Sequence, residues 1–312
     1  MIEKKLRVDS EKRELPIHVR QGFPLGIFTS HFSEDTYHFV NWHWHEEVQF
    51  IHVLEGTFMF HVADNQIEVT EGNGLFLNAN QIHKAQSITP EGKYIFIYFH
   101  PNLLTDQRSD YIKRNFVTPI LSDDFVGSIP LNKNIAEDKR ILDKVLEMKK
   151  IHDIGSKYFE LDLLSCIFQL WKNLLITSEN KSPLYSSQDV IANERLKKIV
   201  TYIDEHYGSQ ITLEDIAKHV HLSRSECCRF FKKCVGQSLF QYILNYRINR
   251  SIELLLQTNK NIATIAHEVG FNSQSYYTKC FHELKNKKPT TLRKEYKNKT
   301  LEKAYLNQID LE

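Results

Sequence analysis

Apolar positions along this chain follow two different periods, and the change of period divides it. In TFMFHV (57–62) and QIEV (66–69) they recur at every second residue, as in a half-buried strand. YIFIYFH (94–100) is apolar almost throughout, which suits a strand covered on both faces. Turn residues punctuate 17–100 at short spacing: Glu55-Gly56, Asp64-Asn65, Glu71-Gly72-Asn73-Gly74, Asn78-Ala79-Asn80 and Pro90-Glu91-Gly92. Many short strands with frequent turns predict a sandwich or barrel.

From about residue 135 the period is helical. Ile135, Ile141/Leu142, Val145/Leu146 and Met148 predict one helix. A second runs from about Tyr158 to Ile176, with Phe159, Leu163, Cys166/Ile167, Leu170/Trp171 and Leu174 on one stripe. TSENKSPLYSSQD (177–189) has no period and reads as a linker. Beyond it lies an internal near-repeat. IAKHV (216–220) matches IAHEV (265–269), and FKKCVG (231–236) matches FHELKN (281–286), with a short turn inside each unit. These are two helix–turn–helix units in tandem. Thr212 with Asp215 and Ser223 with Glu226 have the spacing of N-terminal caps. Gly236, Gly270 and Asn286 stand where helices should end in a left-handed residue. Between the units, SLFQYILNYRINRSIELLLQ (238–257) predicts a helix capped by Ser238, with Phe240, Ile243/Leu244, Ile248 and Ile252/Leu255 buried. About 18 helical residues span roughly 27 Å. Such a strut can hold two recognition helices near one duplex turn apart, about 34 Å.

Charge sharpens the division. The net charge of +1 hides 19 Lys+Arg against 11 Asp+Glu in residues 189–300, a balance of +8, and −7 in the remainder. A basic half carrying two helix–turn–helix units points to double-stranded DNA. No apolar run reaches the roughly 18 residues of a membrane span, and the first residues lack the apolar core of a secretory signal. The expectation is a cytoplasmic protein without a membrane partner. The five cysteines form no C-x-x-C pair, which fits reduced thiols. Neither a Ser-His-Asp or Cys-His nucleophile pattern nor a Gly-rich phosphate loop stands out, so an enzyme is not expected.

Residues 195–296 resemble the DNA-binding domain of the AraC/XylS transcription regulators. The resemblance rests on ITLEDIAKHVHLS, FFKKCVGQSLFQYILNYRI, NIATIAHEVGFNSQSYYTKCFHEL and KPTTLR. Asn286 stands where that family usually has Gly, and Ser251 where Ala is usual. The resemblance implies that Arg224, Ser225, Cys228 and Arg229 of the first unit, and Gln274, Ser275, Thr278 and Lys279 of the second, face DNA. Arg229 suits a fork to guanine, Gln274 suits adenine, and Lys279 or Arg224 suit phosphate. Segments HWHEEVQFIHVLEG (43–56), EGNGLFLNANQIH (71–83) and YIFIYFHP (94–101) resemble the sugar-binding cupin domain that this family often carries.

NWHWHEEVQF (41–50) is the remaining concentration of chemistry. If one strand runs through it, His43, His45, Glu47 and Gln49 share a face and Trp42 and Trp44 pack on the other. Metal-binding cupins place two His and a Glu on such a strand and a third His later. Here Gln49 takes the Glu position and His83 the later His. Gln is a weak ligand for a transition metal. Three readings stay open: a metal at His43, His45 and His83, an organic-effector pocket, and imidazoles satisfied within the barrel. His18, His31, His38, His52 and His61 show no convergent spacing.

The expected fold is α+β multidomain: a cupin-like β jelly roll with helices, then an all-α domain with two helix-turn-helix motifs joined by a long helix. The expected domains are a sensor with an N-terminal arm (1–130), dimerising helices (131–178), a linker (179–190), the DNA-binding domain (191–297) and a C-terminal tail (298–312). The expected function is a sequence-specific regulator, a homodimer that senses a small effector such as a sugar to control a metabolic operon, with RNA polymerase as a further partner and no cofactor. Two alternatives are a metal-dependent cupin enzyme fused to a DNA-binding module, and a DNA-binding regulator without an effector.

Overall fold

The computed structural model describes residue 14 and residues 17–32, 39–105, 110–122, 127–179, 181 and 187–296. The expected tail 298–312 and residues 180 and 182–186 of the expected linker lie outside the described residues, as does His38. The chain forms two compact units, Met1–Lys197 and Lys198–Glu312.

Among the described residues the first unit holds nine strands: β1 (Leu25–Phe32), β2 (Phe39–His43), β3 (Val48–Glu55), β4 (Thr57–Val62), β5 (Asn65–Thr70), β6 (Gly74–Leu77), β7 (His83–Ser87), β8 (Gly92–Phe99) and β9 (Ser128–Leu131). They form two antiparallel sheets, ordered β1-β8-β3-β6-β9 and β2-β7-β4-β5. β9 lies beyond the stretch whose alternation predicts strands. SIPL is too short to show a period, and it pairs only at the sheet edge, where Pro130 removes no ladder bond that a further strand needs.

The five-stranded sheet is buried on both faces, as the near-continuous apolar run of β8 predicts. Tyr94, Phe96 and Tyr98 pack inward with Ile51, Val53, Leu75 and Leu77. Ile95, Ile97 and Phe99 face the other way, in a cluster with Phe50, Phe76 and the helices. Those helices are α3 (Ala136–Ile154) and α4 (Phe159–Glu179), preceded by the short turns α1 (Asp110–Ile112) and α2 (Thr118–Leu121). α3 buries Ile141, Leu142, Val145 and Met148, while Ile135 and Leu146 stay exposed. Every residue of the stripe predicted for α4 is buried. Gly74 sets the helix-to-sheet approach: a Cβ there would fall 2.2 Å from the Ile51 carbonyl oxygen and 2.5 Å from Leu142 Cδ2.

α5 (Ser187–His206) contains the boundary between the units. The second unit continues with α6 (Leu213–His219), α7 (Arg224–Val235), α8 (Leu239–Gln257), α9 (Ile262–Glu268) and α10 (Gln274–Lys285). Thr212/Asp215, Ser223/Glu226 and Ser238/Gln241 each form a reciprocal capping box. Gly236, Gly270 and Asn286 all adopt positive φ, of 77°, 86° and 53°. At Gly270 the constraint is also spatial, since a Cβ would meet the Tyr207 carbonyl oxygen at 2.3 Å. The predicted stripe of α8 needs correction. Phe240 is 60% exposed, and Leu239, Tyr242 and Tyr246 are buried instead. These tyrosines carry polar tips, yet their rings pack on Phe231 and Tyr207. Ser251 is fully buried. Its hydroxyl donates to the Ile248 carbonyl at 2.6 Å and accepts from Tyr277 Oη at 2.9 Å, tying α10 to α8. Among the described residues no helix is long and apolar enough to cross a membrane.

Buried histidines of the first unit, His52 and His61 among them, make its stability depend on pH. His61 on β4 is buried against Trp42, and burial, with Lys84 adding repulsion, pulls its pKa down to about 4. Burial also lowers His52, against the opposing pull of the Leu142 carbonyl and Asp143. The unfolded chain takes up these protons near pH 6.5. Between that value and the lower folded values the unfolded state binds more protons, so stability falls as pH falls. The melting temperature of the first unit, followed by circular dichroism on the full chain, should drop steadily between pH 7 and pH 5. His61→Phe should flatten the slope, and identical melting across this window would refute the assignment.

Candidate functional site

Within the first unit a cavity of about 460 Å³, counted with its open mouth, lies between the sheets. Its wall includes His43 and Val40 of β2, Gln49 and Ile51 of β3, Phe60 of β4, His83 and Ala85 of β7, and Tyr94 and Phe96 of β8. The predicted single strand through NWHWHEEVQF is not what forms. β2 ends at His43, the chain bends through 44–47, and β3 begins at Val48 in the other sheet. The shared face therefore does not arise from alternation along one strand. It arises because His43 and His83 are register partners across β2 and β7, and because the bend folds His45 back toward them. The ring centroids lie 4.1 Å apart for His43–His83, 5.1 Å for His45–His83 and 6.0 Å for His43–His45.

Backbone carbonyls orient each ring. Nδ1 of His43 lies 2.8 Å from the Asn41 oxygen, that of His45 2.8 Å from the Glu47 oxygen, and that of His83 2.9 Å from the Gln81 oxygen. Burial, then the neighbouring His43 and His45, hold His83 well below the usual histidine range. Gln49 joins the group, its Oε1 3.2 Å from His45 Nε2. Glu47 does not: its carboxylate points to His18, 3.9 Å away. Trp42 is buried beside His61 and Lys84, and Trp44 lies under the Lys197 ammonium at 4.6 Å.

Two features were not singled out from sequence. Glu14 is buried in the cavity wall, with Oε2 3.6 Å from His43 Nε2 and its backbone N–H donating to the Trp44 carbonyl. Nearby, Tyr98 Oη donates to the Ile17 carbonyl at 2.9 Å and accepts from the Ile17 N–H at 2.8 Å. No local pattern in the first twenty residues signals this crossing. The second is Asn193 of α5. Its Oδ1 accepts from the Ile82 N–H at 2.9 Å and its Nδ2 donates to the Asn80 carbonyl at 3.0 Å, while the Asn80 N–H donates to the His45 carbonyl at 2.8 Å.

In the second unit the eight residues implied for DNA contact lie on the two recognition-type helices. On α7, Arg224, Ser225 and Arg229 are exposed and Cys228 is half-buried. On α10, Gln274, Ser275 and Lys279 are exposed and Thr278 is half-buried, its hydroxyl donating back to the Gln274 carbonyl. Arg224 and Lys279 each meet a glutamate only at 3.9 Å, in solvent, contacts too weak to hold them from a phosphate. Buried Cys227, Phe231 and Cys234 anchor α7, and Tyr277, Cys280 and Phe281 anchor α10, which turns the polar faces outward. Tyr276, 55% exposed on α10, stands beside them.

Comparison with known proteins agrees with both halves. Residues 24–147 match the model of an AraC-like ligand binding domain, and residues 216–295 match a helix-turn-helix domain. An uncharacterized HTH-type transcriptional regulator, YdeC of Bacillus subtilis, is 31% identical over 290 residues, 92% of this chain and 97% of its own. The lactose operon transcription activator of Staphylococcus xylosus is 34% identical over 116 residues, 37% of this chain and 42% of its own. The solved structure of ToxT from Vibrio cholerae covers 86% of this chain and 98% of its own at 15% identity, with a TM-score of 0.43. The chain belongs to the AraC-type helix-turn-helix transcriptional regulators: a DNA-binding protein with a ligand-binding domain, not an enzyme.

Proposed function

We propose that the chain is a sequence-specific regulator whose DNA affinity responds to a small effector held in the barrel cavity. One observation carries this reading: a cavity that brings buried polar side chains from both sheets, and from the Glu14 segment, to a single point. A cleft lined by apolar side chains with a few convergent polar groups suits a small molecule. A sugar is the favoured class, supported by the likeness to a lactose operon activator. The effector acts by binding one arrangement of the protein better than the other. Its route to α5 runs from the 44–47 bend through Asn80 to Asn193. The protein works in the cytoplasm as a homodimer on the promoter of a metabolic operon, beside RNA polymerase. Leu161 and Phe168, 67% and 47% exposed one heptad apart on α4, supply the dimer contact.

The recognition residues test the DNA half. Arg229→Ala and Gln274→Ala should each cost about 1–3 kcal/mol on the cognate site, measured by fluorescence anisotropy, with little change on random DNA. Equal losses on every sequence would make them phosphate contacts and sink base readout. Isothermal titration against a panel of sugars tests the sensing half. Asn193→Ala should leave effector binding intact and remove its effect on operator affinity, whereas an unaltered response would break the proposed route. For assembly, Leu161→Glu with Phe168→Glu should yield monomers in sedimentation equilibrium, and a persisting dimer would place the interface elsewhere.

A further inference from the structure

The three histidines carry more than the outline of a cavity. One ring nitrogen of each of His43, His45 and His83 lies within 4.8 Å of the others, and all three residues are buried. Each Nδ1 sits 2.8–2.9 Å from a backbone carbonyl oxygen. A carbonyl oxygen only accepts, so each Nδ1 carries the proton and donates it. That fixes the tautomer: Nε2 is a bare lone pair in every neutral ring. Three lone pairs thus converge on one buried point, and two further acceptor oxygens lie beside them. Gln49 Oε1 is 3.2 Å from His45 Nε2, and Glu14 Oε2 is 3.6 Å from His43 Nε2. Turning the Gln49 amide relieves one of these contacts and none of the others. A cation at their centre makes all of them attractive. An Nδ1–H bonded to a carbonyl is also the support that metal-ligating histidines have in their outer shell.

We propose that His43, His45 and His83 bind a divalent first-row transition-metal ion through Nε2, with the Glu14 carboxylate as fourth ligand and Gln49 beside it. Imidazoles with a carboxylate suit zinc, iron, cobalt or nickel. A tetrahedral zinc about 2.1 Å from each nitrogen sets them about 3.4 Å apart, so ring movements of roughly an ångström complete the site. Two ligands come from the strand pair β2–β7, one from the bend and one from the N-terminal segment. The ion therefore adds a side-chain tie to the backbone bonds that already fasten Glu14 to Trp44 and Ile17 to Tyr98. Metal occupancy and the seating of Glu14 in the cavity wall become linked equilibria. The inference rests on the barrel interior being the ligand site and narrows what that site takes.

The test uses the purified full-length protein, stripped with a chelator and titrated with Co²⁺ and then Zn²⁺. One Co²⁺ should bind per chain, with visible d–d bands and no near-ultraviolet thiolate band, which separates this site from the cysteines. His43→Gln and His83→Gln should each abolish the bands, and Glu14→Gln should weaken binding at least about tenfold. Zn²⁺ should slow proteolytic cleavage around residues 14–18 in the native protein and not in Glu14→Gln. Sub-stoichiometric Co²⁺, a thiolate spectrum, or bands unaltered by His83→Gln would overturn the proposal. If the histidine variants fail to fold, as judged by circular dichroism and DNA binding, Glu14→Gln decides alone, since its side chain lies outside both sheets. Failure to bind Co²⁺ together with effector responses that persist in the chelator-stripped protein would overturn this inference and leave the reading of the cavity standing. Loss of both would remove the two together.

Discussion

The first unit depends on a sheet that must be dry on both faces. Strands β8 and β3 alternate their side chains between a barrel interior and a layer of helices, and neither face meets water. Such a sheet cannot exist alone, because each face exposes a large apolar area that water penalises at about 25 cal/mol per Å². The second sheet closes one face and α3 and α4 close the other. The closing of the inner face leaves a polar point between the sheets, because His43 and His83 of the second sheet and His45 of the bend meet Gln49 of β3 there. The closing of the outer face consumes the apolar stripes of α3 and α4, which leaves only their opposite sides for any partner.

The second unit solves a different problem with the same economy. Each recognition helix is short, twelve residues, and an isolated helix of that length is marginal in water. Its stability comes from a cap at one end, a left-handed residue at the other and an aromatic anchor in between. The departures from the usual family residues fit this scheme. Asn286 takes the left-handed conformation itself, and Ser251 replaces the close packing of an alanine with a hydrogen bond to Tyr277. The polar faces of α7 and α10 are left exposed as a consequence of how their opposite faces are held.

Much of this was legible in the chain, for reasons that can be named. The two periods separated the strand-rich and helical parts, since burial on one side imposes a period of 2 or 3.6. The caps and helix stops were legible because they depend on neighbouring residues alone. The run YIFIYFH announced a doubly buried strand. Errors came where local pattern competes with packing. Phe240 looked buried by spacing and is exposed, while Tyr242 and Tyr246, outside the predicted stripe, are buried, because the rotation of α8 is set by its neighbours and not by its own apolar content. β9 escaped because four residues show no period.

The histidine site marks the limit most clearly. Sequence supplied the residue types, a His-x-His and a distant His83, and a strand rule that placed His43, His45, Glu47 and Gln49 on one face. The chain breaks that rule at 44–47, moves to the other sheet and turns Glu47 away to His18. The histidines still converge, by cross-strand register and by the bend. Local sequence by itself determined the periods, the caps, the turns and the charge of each half, because those follow from interactions among near neighbours. Only the tertiary structure decided which residues meet at the cavity, including Glu14, and that Asn193 of α5 fastens Asn80 and Ile82. Contacts between residues dozens of positions apart are set by sheet register and closure, and no local pattern records them.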